Sequence, residues 1–233
     1  MAWDFAAQIH SLSGFDADNA GTSSVGGETY QAMATKWLLL AAQEIIHLLP
    51  LSLLERASGI TYTNQNMNDG NGYPIEGRII SVFRANNPTS FAAASPEQIY
   101  ECRRIPYAKS FRAADPESLE YATPTDPVYY LEPQSDLSAA QLHILPKDTS
   151  RNLSKLTTIT PVVAYNLTSI TNFPDEAEHL VAIRASIYAA EYQLSIEEDT
   201  ELYLPMIQNL KQDYEMGLQK LGVMQAQPQQ EGR

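Results

Sequence analysis

The chain has 233 residues, 44% hydrophobic and 18% charged, enough apolar side chain for a sizeable core and too much for a disordered chain. Its 28 acids against 15 bases leave a net charge of −13, which excludes a free-standing nucleic-acid clamp built on clustered Lys and Arg. One cysteine, Cys102, excludes an intramolecular disulfide and a cysteine-rich zinc site, and fits a reducing compartment.

The opening Met1-Ala2-Trp3-Asp4-Phe5 has neither the basic start nor the long apolar run of a secretory leader. The longest apolar stretch, Trp37 to Ala42, falls far short of the roughly 20 residues of a membrane span. The expectation is a soluble chain that folds inside a cell and needs no membrane. A short helix is predicted over 2–12. A longer one follows from Glu28 to Leu49, where Trp37, Leu38, Ala41, Ile45, Leu48 and Leu49 recur at helical spacing and Pro50 gives a stop.

From about residue 59 the pattern changes to β. Ile60-Thr61-Tyr62-Thr63 is rich in β-formers, a turn region spans Asn64 to Gly77, and residues 79–84 alternate with a period of two. Similar short runs lie at Ile99–Ile105, Val128–Leu131, Leu142–Leu145 and Leu156–Tyr165, punctuated by Pro and Asp. Short strands so spaced predict a small barrel or sandwich in preference to βαβ units.

Helix returns at 173, with Asn172 as the expected cap and Pro174, Asp175 and Glu176 in the first turn. Ala182, Ala185, Ser186 and Ala189 form a strip of small residues that lets another helix approach closely. Ser195 and Glu198 have the spacing of a capping box for a last helix, whose Tyr203, Ile207, Leu210, Tyr214, Gly217 and Leu221 follow a four-three repeat. Pro205 is expected to bend that helix, and Gly222 to end it.

The predicted architecture is α+β: a discontinuous helical bundle from both chain ends, 1–58 and 172–222, with an inserted β-barrel or sandwich module over 59–171. Residues 223–233 read as a flexible tail, in which Val223 and Met224 offer a little apolar surface to a partner. Trp37, Leu38, Ile45, Leu180, Ile187, Ile207 and Leu210 are expected to share one core. Charge divides unevenly: residues 173–233 carry 11 acids against four bases, while 51–172 are nearly neutral.

Catalytic signatures are hard to find. The four histidines, His10, His47, His143 and His179, have no spacing that puts two on one helix face, and no phosphate loop, dinucleotide fingerprint or nucleophile elbow occurs. The expectation is no catalytic residue, no cofactor and no metal. Asn64 to Asp69 carries oxygen side chains like a calcium loop, but position six is Asp69 and position twelve Ile75, so a plain turn explains it better. Asp115, Glu117 and Glu120 could form a scattered carboxylate site, or simply a turn with acids at a helix start. Arg103, Arg104, Lys109 and Arg112 are the one basic concentration, open to phosphate contact or to pairing with acids of the same or a neighbouring subunit.

Specific strings carry more. Phe173-Pro174-Asp175-Glu176-Ala177-Glu178-His179-Leu180 with Glu197-Glu198-Asp199-Thr200-Glu201-Leu202 resembles the C-terminal hairpin of tailed-bacteriophage structural proteins. Arg78 to Arg84, Cys102-Arg103-Arg104-Ile105-Pro106, Tyr121 to Tyr130 and Leu142-His143-Ile144-Leu145-Pro146 are similar in the same order, so the resemblance spans roughly 28–222. It implies a head-to-tail connector, an adaptor docked under the portal protein in the virion neck as a homo-oligomeric ring of twelve copies. The family is similar in layout, a helical bundle with a barrel-like insertion, and offers no enzymatic motif to carry over. A ring of so acidic a chain would let double-stranded DNA slide past without sequence-specific contact. Tail or neck proteins would be the other partners, and assembly would take place in the host cytoplasm. The alternatives are another neck or tail protein, such as a tail terminator or head-completion protein, a hydrolase using the carboxylates above, and a small-ligand barrel.

Overall fold

The structure is a computed structural model that describes residues 4–17, 27–57, 61–65, 72–75, 77–86, 94–133, 140–146, 153–164, 166–197 and 199–222. In chain order the elements are α1 (Phe5–Ser13), α2 (Tyr30–Leu48), α3 (Leu51–Leu54), β1 (Thr61–Gln65), β2 (Tyr73–Pro74), β3 (Arg78–Ala85), β4 (Ile99–Glu101), β5 (Arg103–Arg104) and α4 (Ser110–Ala114). They continue with β6 (Val128–Glu132), β7 (Gln141–Leu145), β8 (Leu153–Ile159), β9 (Val162–Val163), β10 (Ile170–Thr171), α5 (Glu178–Glu197) and α6 (Thr200–Lys220). The chain is α+β and divides into two compact units, residues 1–59 with 160–233, and residues 60–159.

In the helical unit α5 is the hub, packed against α1, α2 and α6. Leu180, Val181, Ala182, Ala185, Ser186, Ile187, Ala189 and Ala190 are all buried, so the small-residue strip is consumed by contacts inside the unit. Leu38, Ile45 and Leu180 are fully buried, and Ile187, Ile207 and Leu210 cluster with Tyr203. Trp37 is only half-buried, in an aromatic group where its ring centroid lies 4.9 Å from Phe15 and 5.6 Å from Tyr192. Between α2 and α5, Glu44 accepts from Arg184 Nε at 2.8 Å and from the Tyr188 hydroxyl at 2.6 Å. Burial pushes the Glu44 carboxyl up, but those two bonds outweigh it and hold the group below its ordinary range.

Three local expectations in this unit are corrected. Asn172 does not cap α5: it has φ of 58° and its Nδ2 donates to the Thr160 carbonyl, while a 3₁₀ turn over Asp175–Ala177 leads into the helix. Ser195 is not the cap of the last helix, because α5 continues to Glu197 and Ser195 Oγ donates to the Tyr192 carbonyl; Glu198, the other member of the expected box, lies outside the described residues. Asp199 caps α6, its Oδ1 accepting from the Leu202 amide at 3.1 Å. The β9–β10 hairpin also belongs here, so residues 160–171 leave the predicted β module.

The second unit holds two four-stranded sheets, ordered β1-β8-β3-β4 and β2-β7-β6-β5. Val82 of β3 and Leu156 of β8 meet Leu142 of β7 and Cys102 in one core, so the two sheets face each other as a sandwich does. The run Ile99–Ile105 is not one strand of one sheet. Its β4 half pairs β3, its β5 half pairs β6, and Cys102 sits at the corner, donating its amide to the Val82 carbonyl at 2.8 Å. Burial pushes the Cys102 thiol up to about 12, with Arg84 pulling in the other direction.

One pairing departs from the prediction. β5 and β6 run parallel, so residues 105–127 must form a crossover, the βαβ-like connection that the short strands had argued against. Alternation along β6 turns Tyr129 and Leu131 toward the other sheet and Val128, Tyr130 and Glu132 the opposite way. The crossover lies on that second face, where Ile105, Ala113 and Ala122 pack with Val128, Tyr130 and Leu145.

Candidate functional site

Of the four predicted basic residues, Arg103 and Arg104 form β5 and Lys109 and Arg112 lie on the crossover that follows it, and the structure separates their roles. Arg103 pairs with Asp126 at 3.5 Å and Lys109 with Glu120 at 3.0 Å. Arg112 is exposed and makes no ion pair with a described residue. Arg104 stands apart, beside Pro106, Tyr107 and Leu131. The basic concentration is therefore half neutralised by acids of its own chain. The Lys109 ammonium, hydrogen-bonded to Glu120, holds that carboxyl below its ordinary range, helped by Arg112 and Arg103.

These pairings bear on the carboxylate reading. Glu120 is the partner of Lys109, and Asp115 Oδ1 accepts from the Glu117 amide, shaping a turn. Both acids are thus occupied in holding the crossover. Among the described residues His143 is the histidine within ion-pair distance of a carboxylate: its Nε2 lies 2.8 Å from Glu132 Oε2, and its ring stacks on Tyr130 with centroids 5.1 Å apart. Among the described residues no group of three or more His, Cys, Asp or Glu could hold a metal ion. The calcium-like loop falls largely outside the described residues, as do Val223 and Met224.

The concavity that sequence reasoning missed lies between the crossover and the second face of β6 and β7. It has a volume of about 520 Å³ and is lined by Tyr107, Ser110, Phe111, Ala114, Tyr121, Tyr130, Glu132, Leu145 and Pro146. Tyr107 sits 5.8 Å from Tyr130 and 6.2 Å from Phe111, centroid to centroid, so three of the four aromatic residues lining the cleft form one group. Glu132 is the only charged residue among the described lining, and its Oε2 lies 2.8 Å from His143 Nε2 of the neighbouring strand. Its Oε1 takes no hydrogen bond from a described residue. Burial first, then the nearby Glu132 charge, pushes the Tyr130 phenol up.

Such a cleft offers ring faces and a carboxylate, which is the chemistry that receives a cation. On the other side of the crossover a smaller hollow of about 180 Å³ is lined by Arg103, Ile105, Lys109, Ala113, Leu119 and Glu120. Phe111 is 73% exposed and Leu119 is fully exposed, so the crossover presents two large apolar side chains to its surroundings. The signal available in the sequence was the aromatic density at Tyr121, Tyr129 and Tyr130. Which of these tyrosines the crossover covers is decided only by the parallel pairing.

Among the described residues no helix is long and apolar enough to cross a membrane. No family model matches the chain, and no curated protein matches it.

Proposed function

We propose that this chain is a structural protein of a tailed bacteriophage, a head-to-tail connector that docks under the portal as a ring and continues the DNA channel. Its position would be the virion neck, its partners the portal, tail or neck proteins and further copies of itself, and its role architectural with no reaction. The resemblance of its strings to that family supports the reading, as does the layout of a helical unit drawn from both chain ends around an inserted β unit. The observation that carries it is the crossover surface, where exposed Phe111 and Leu119 stand among Tyr107, Lys109 and Arg112. Apolar side chains set in a charged rim are what a protein–protein contact buries. Arg103, Arg104, Lys109 and Arg112 are the candidate partner-binding cations, and Val223 and Met224 the candidate apolar contacts of the tail.

Electron cryo-microscopy of the protein mixed with its portal tests this directly. The expected result is a closed ring seated beneath the portal, its copy number read from the averaged symmetry. A ring of different order at the tail end would assign the chain to a tail terminator instead. Absence of any complex would overturn the neck reading.

A further inference from the structure

Residues 105–122 form a ridge with unlike flanks. Toward the sheet face lies the aromatic cleft, whose described lining holds one carboxylate and no cation. The other flank carries Arg103 and Lys109 beside exposed Leu119, and Arg112 stands on α4. Ser110, Phe111 and Ala114 line the cleft whereas Arg112 does not, because a turn of about 100° per residue carries position 112 away from it. Arg112 therefore does not enter the cleft of its own chain. We propose that it enters the cleft of a second copy, with its guanidinium over the Tyr107, Phe111 and Tyr130 rings and directed at Glu132 Oε1, while Leu119 packs against the same rim.

The occupant follows from charge. Of the two cations on the ridge, Lys109 is already paired, as is Arg103 of the strand beside it, whereas Arg112 makes no ion pair with a described residue; Arg104, the remaining cation of that strand, stands apart beside Pro106, Tyr107 and Leu131. Of the charged groups lining the cleft, Glu132 is the one described; its Oε2 lies beside His143, and its Oε1 accepts from no described residue. A guanidinium satisfies both needs, since it stacks flat on aromatic faces and donates to a carboxylate. The donor and acceptor flanks are different surfaces of one chain, so the contact is heterologous and propagates head to tail. It closes into a ring when the rotation per copy allows. The inference deepens the connector reading, on which it rests for the ring, by naming the contact between subunits.

Sedimentation velocity on the full chain, from micromolar to near-millimolar concentration, tests it. The wild type is expected to sediment faster as concentration rises, while Glu132→Lys and Arg112→Glu each weaken the association at least about tenfold. An equimolar mixture of the two variants is expected to regain association, because the reversed charge on one faces the reversed charge on the other. Arg112 is exposed on the ridge and Glu132 half-buried at the cleft, and circular dichroism checks that each variant is folded; Arg112→Ala gives a milder loss in the same direction. A wild type that stays monomeric throughout, variants that associate like the wild type, or a mixture that does not recover would each overturn the contact. The two readings fail separately. Self-association through the cleft without portal docking removes the connector and keeps the contact, whereas a portal-bound ring that Glu132→Lys still forms does the reverse.

Discussion

Gly217 of α6 lies directly against Leu180 of α5: a β-carbon at position 217 would overlap the Leu180 Cδ2 methyl, and Leu180 is fully buried. In an exposed helix, replacing Gly by Ala gains about 1 kcal/mol. Here the overlap reverses the sign, since overpacking a tight contact costs about 1–3 kcal/mol. Gly217→Ala is expected to destabilise the helical unit in urea unfolding, and Leu180→Ala to cost about 2–5 kcal/mol. The double variant should lose less than the sum of the two. Strict additivity would show that the residues do not touch.

Trp37 and Leu38 are adjacent on α2 and should behave differently. Leu38 is fully buried, and Leu38→Ala is expected to cost about 2–5 kcal/mol. Trp37 is half-buried beside Phe15 and Tyr192, so Trp37→Ala leaves less of a cavity than a core tryptophan would. Its cost should fall below the roughly 3–5 kcal/mol typical of a core aromatic. Chemical denaturation of both variants gives the comparison, and a larger loss at Trp37 would contradict it.

Glu178 at the start of α5 makes stability depend on pH. Burial, with Asp175 nearby, raises its carboxyl from 4.5 to about 6. The folded state therefore binds a proton that the unfolded chain has released, and the contribution of this group falls as pH rises from about 4.5 to 6. Glu178→Gln removes the titration. The variant should gain stability over the wild type as pH rises through that window, with the difference constant above it. Denaturation midpoints at several pH values read the effect, and a difference that shrinks with pH would be the wrong sign.

Arg84 is buried in the β unit at 2% exposure, with its Nη1 donating to the Pro146 carbonyl at 2.8 Å. Arg84→Leu leaves that carbonyl without this donor and is expected to cost about 1–3 kcal/mol. Pro146 also borders the aromatic cleft, so the same substitution should shift tyrosine fluorescence of the folded protein. A variant as stable as the wild type would show that the arginine is dispensable.

The two ends of the chain were legible because helical spacing of apolar residues survives without knowledge of the partner. Leu38, Ala41 and Ile45 declare a face wherever they pack. Alternation likewise located β3, β6 and β7. The corner at Cys102 was hidden, since Ile99–Ile105 contains no Gly or Pro and reads as one continuous strand. The parallel pairing of β5 with β6 was hidden for a related reason, because period two marks a strand but not its neighbour or direction. That pairing decides which face of β6 the crossover covers, and hence that Tyr130 and Glu132, not Tyr129 and Leu131, meet Phe111. The basic cluster was visible as a cluster, but its pairing with Glu120 and Asp126 depends on turns formed within the crossover. At the helix starts, Asn172 and Ser195 had capping side chains in plausible places, but a 3₁₀ turn separates Asn172 from α5 and Ser195 lies inside α5, so neither occupies a cap position.

The corner between β4 and β5 gives the chain a built-in reporter. Cys102 is its only thiol, 4% exposed and held as the unreactive protonated form by its surroundings. It is reached only when the strand that joins the two sheets lets go of one of them. The rate at which a thiol reagent labels the native protein is then a clock for the opening of the sandwich, readable without adding a probe. Compared alone and in an assembly, that clock would tell whether neighbours hold the β unit shut.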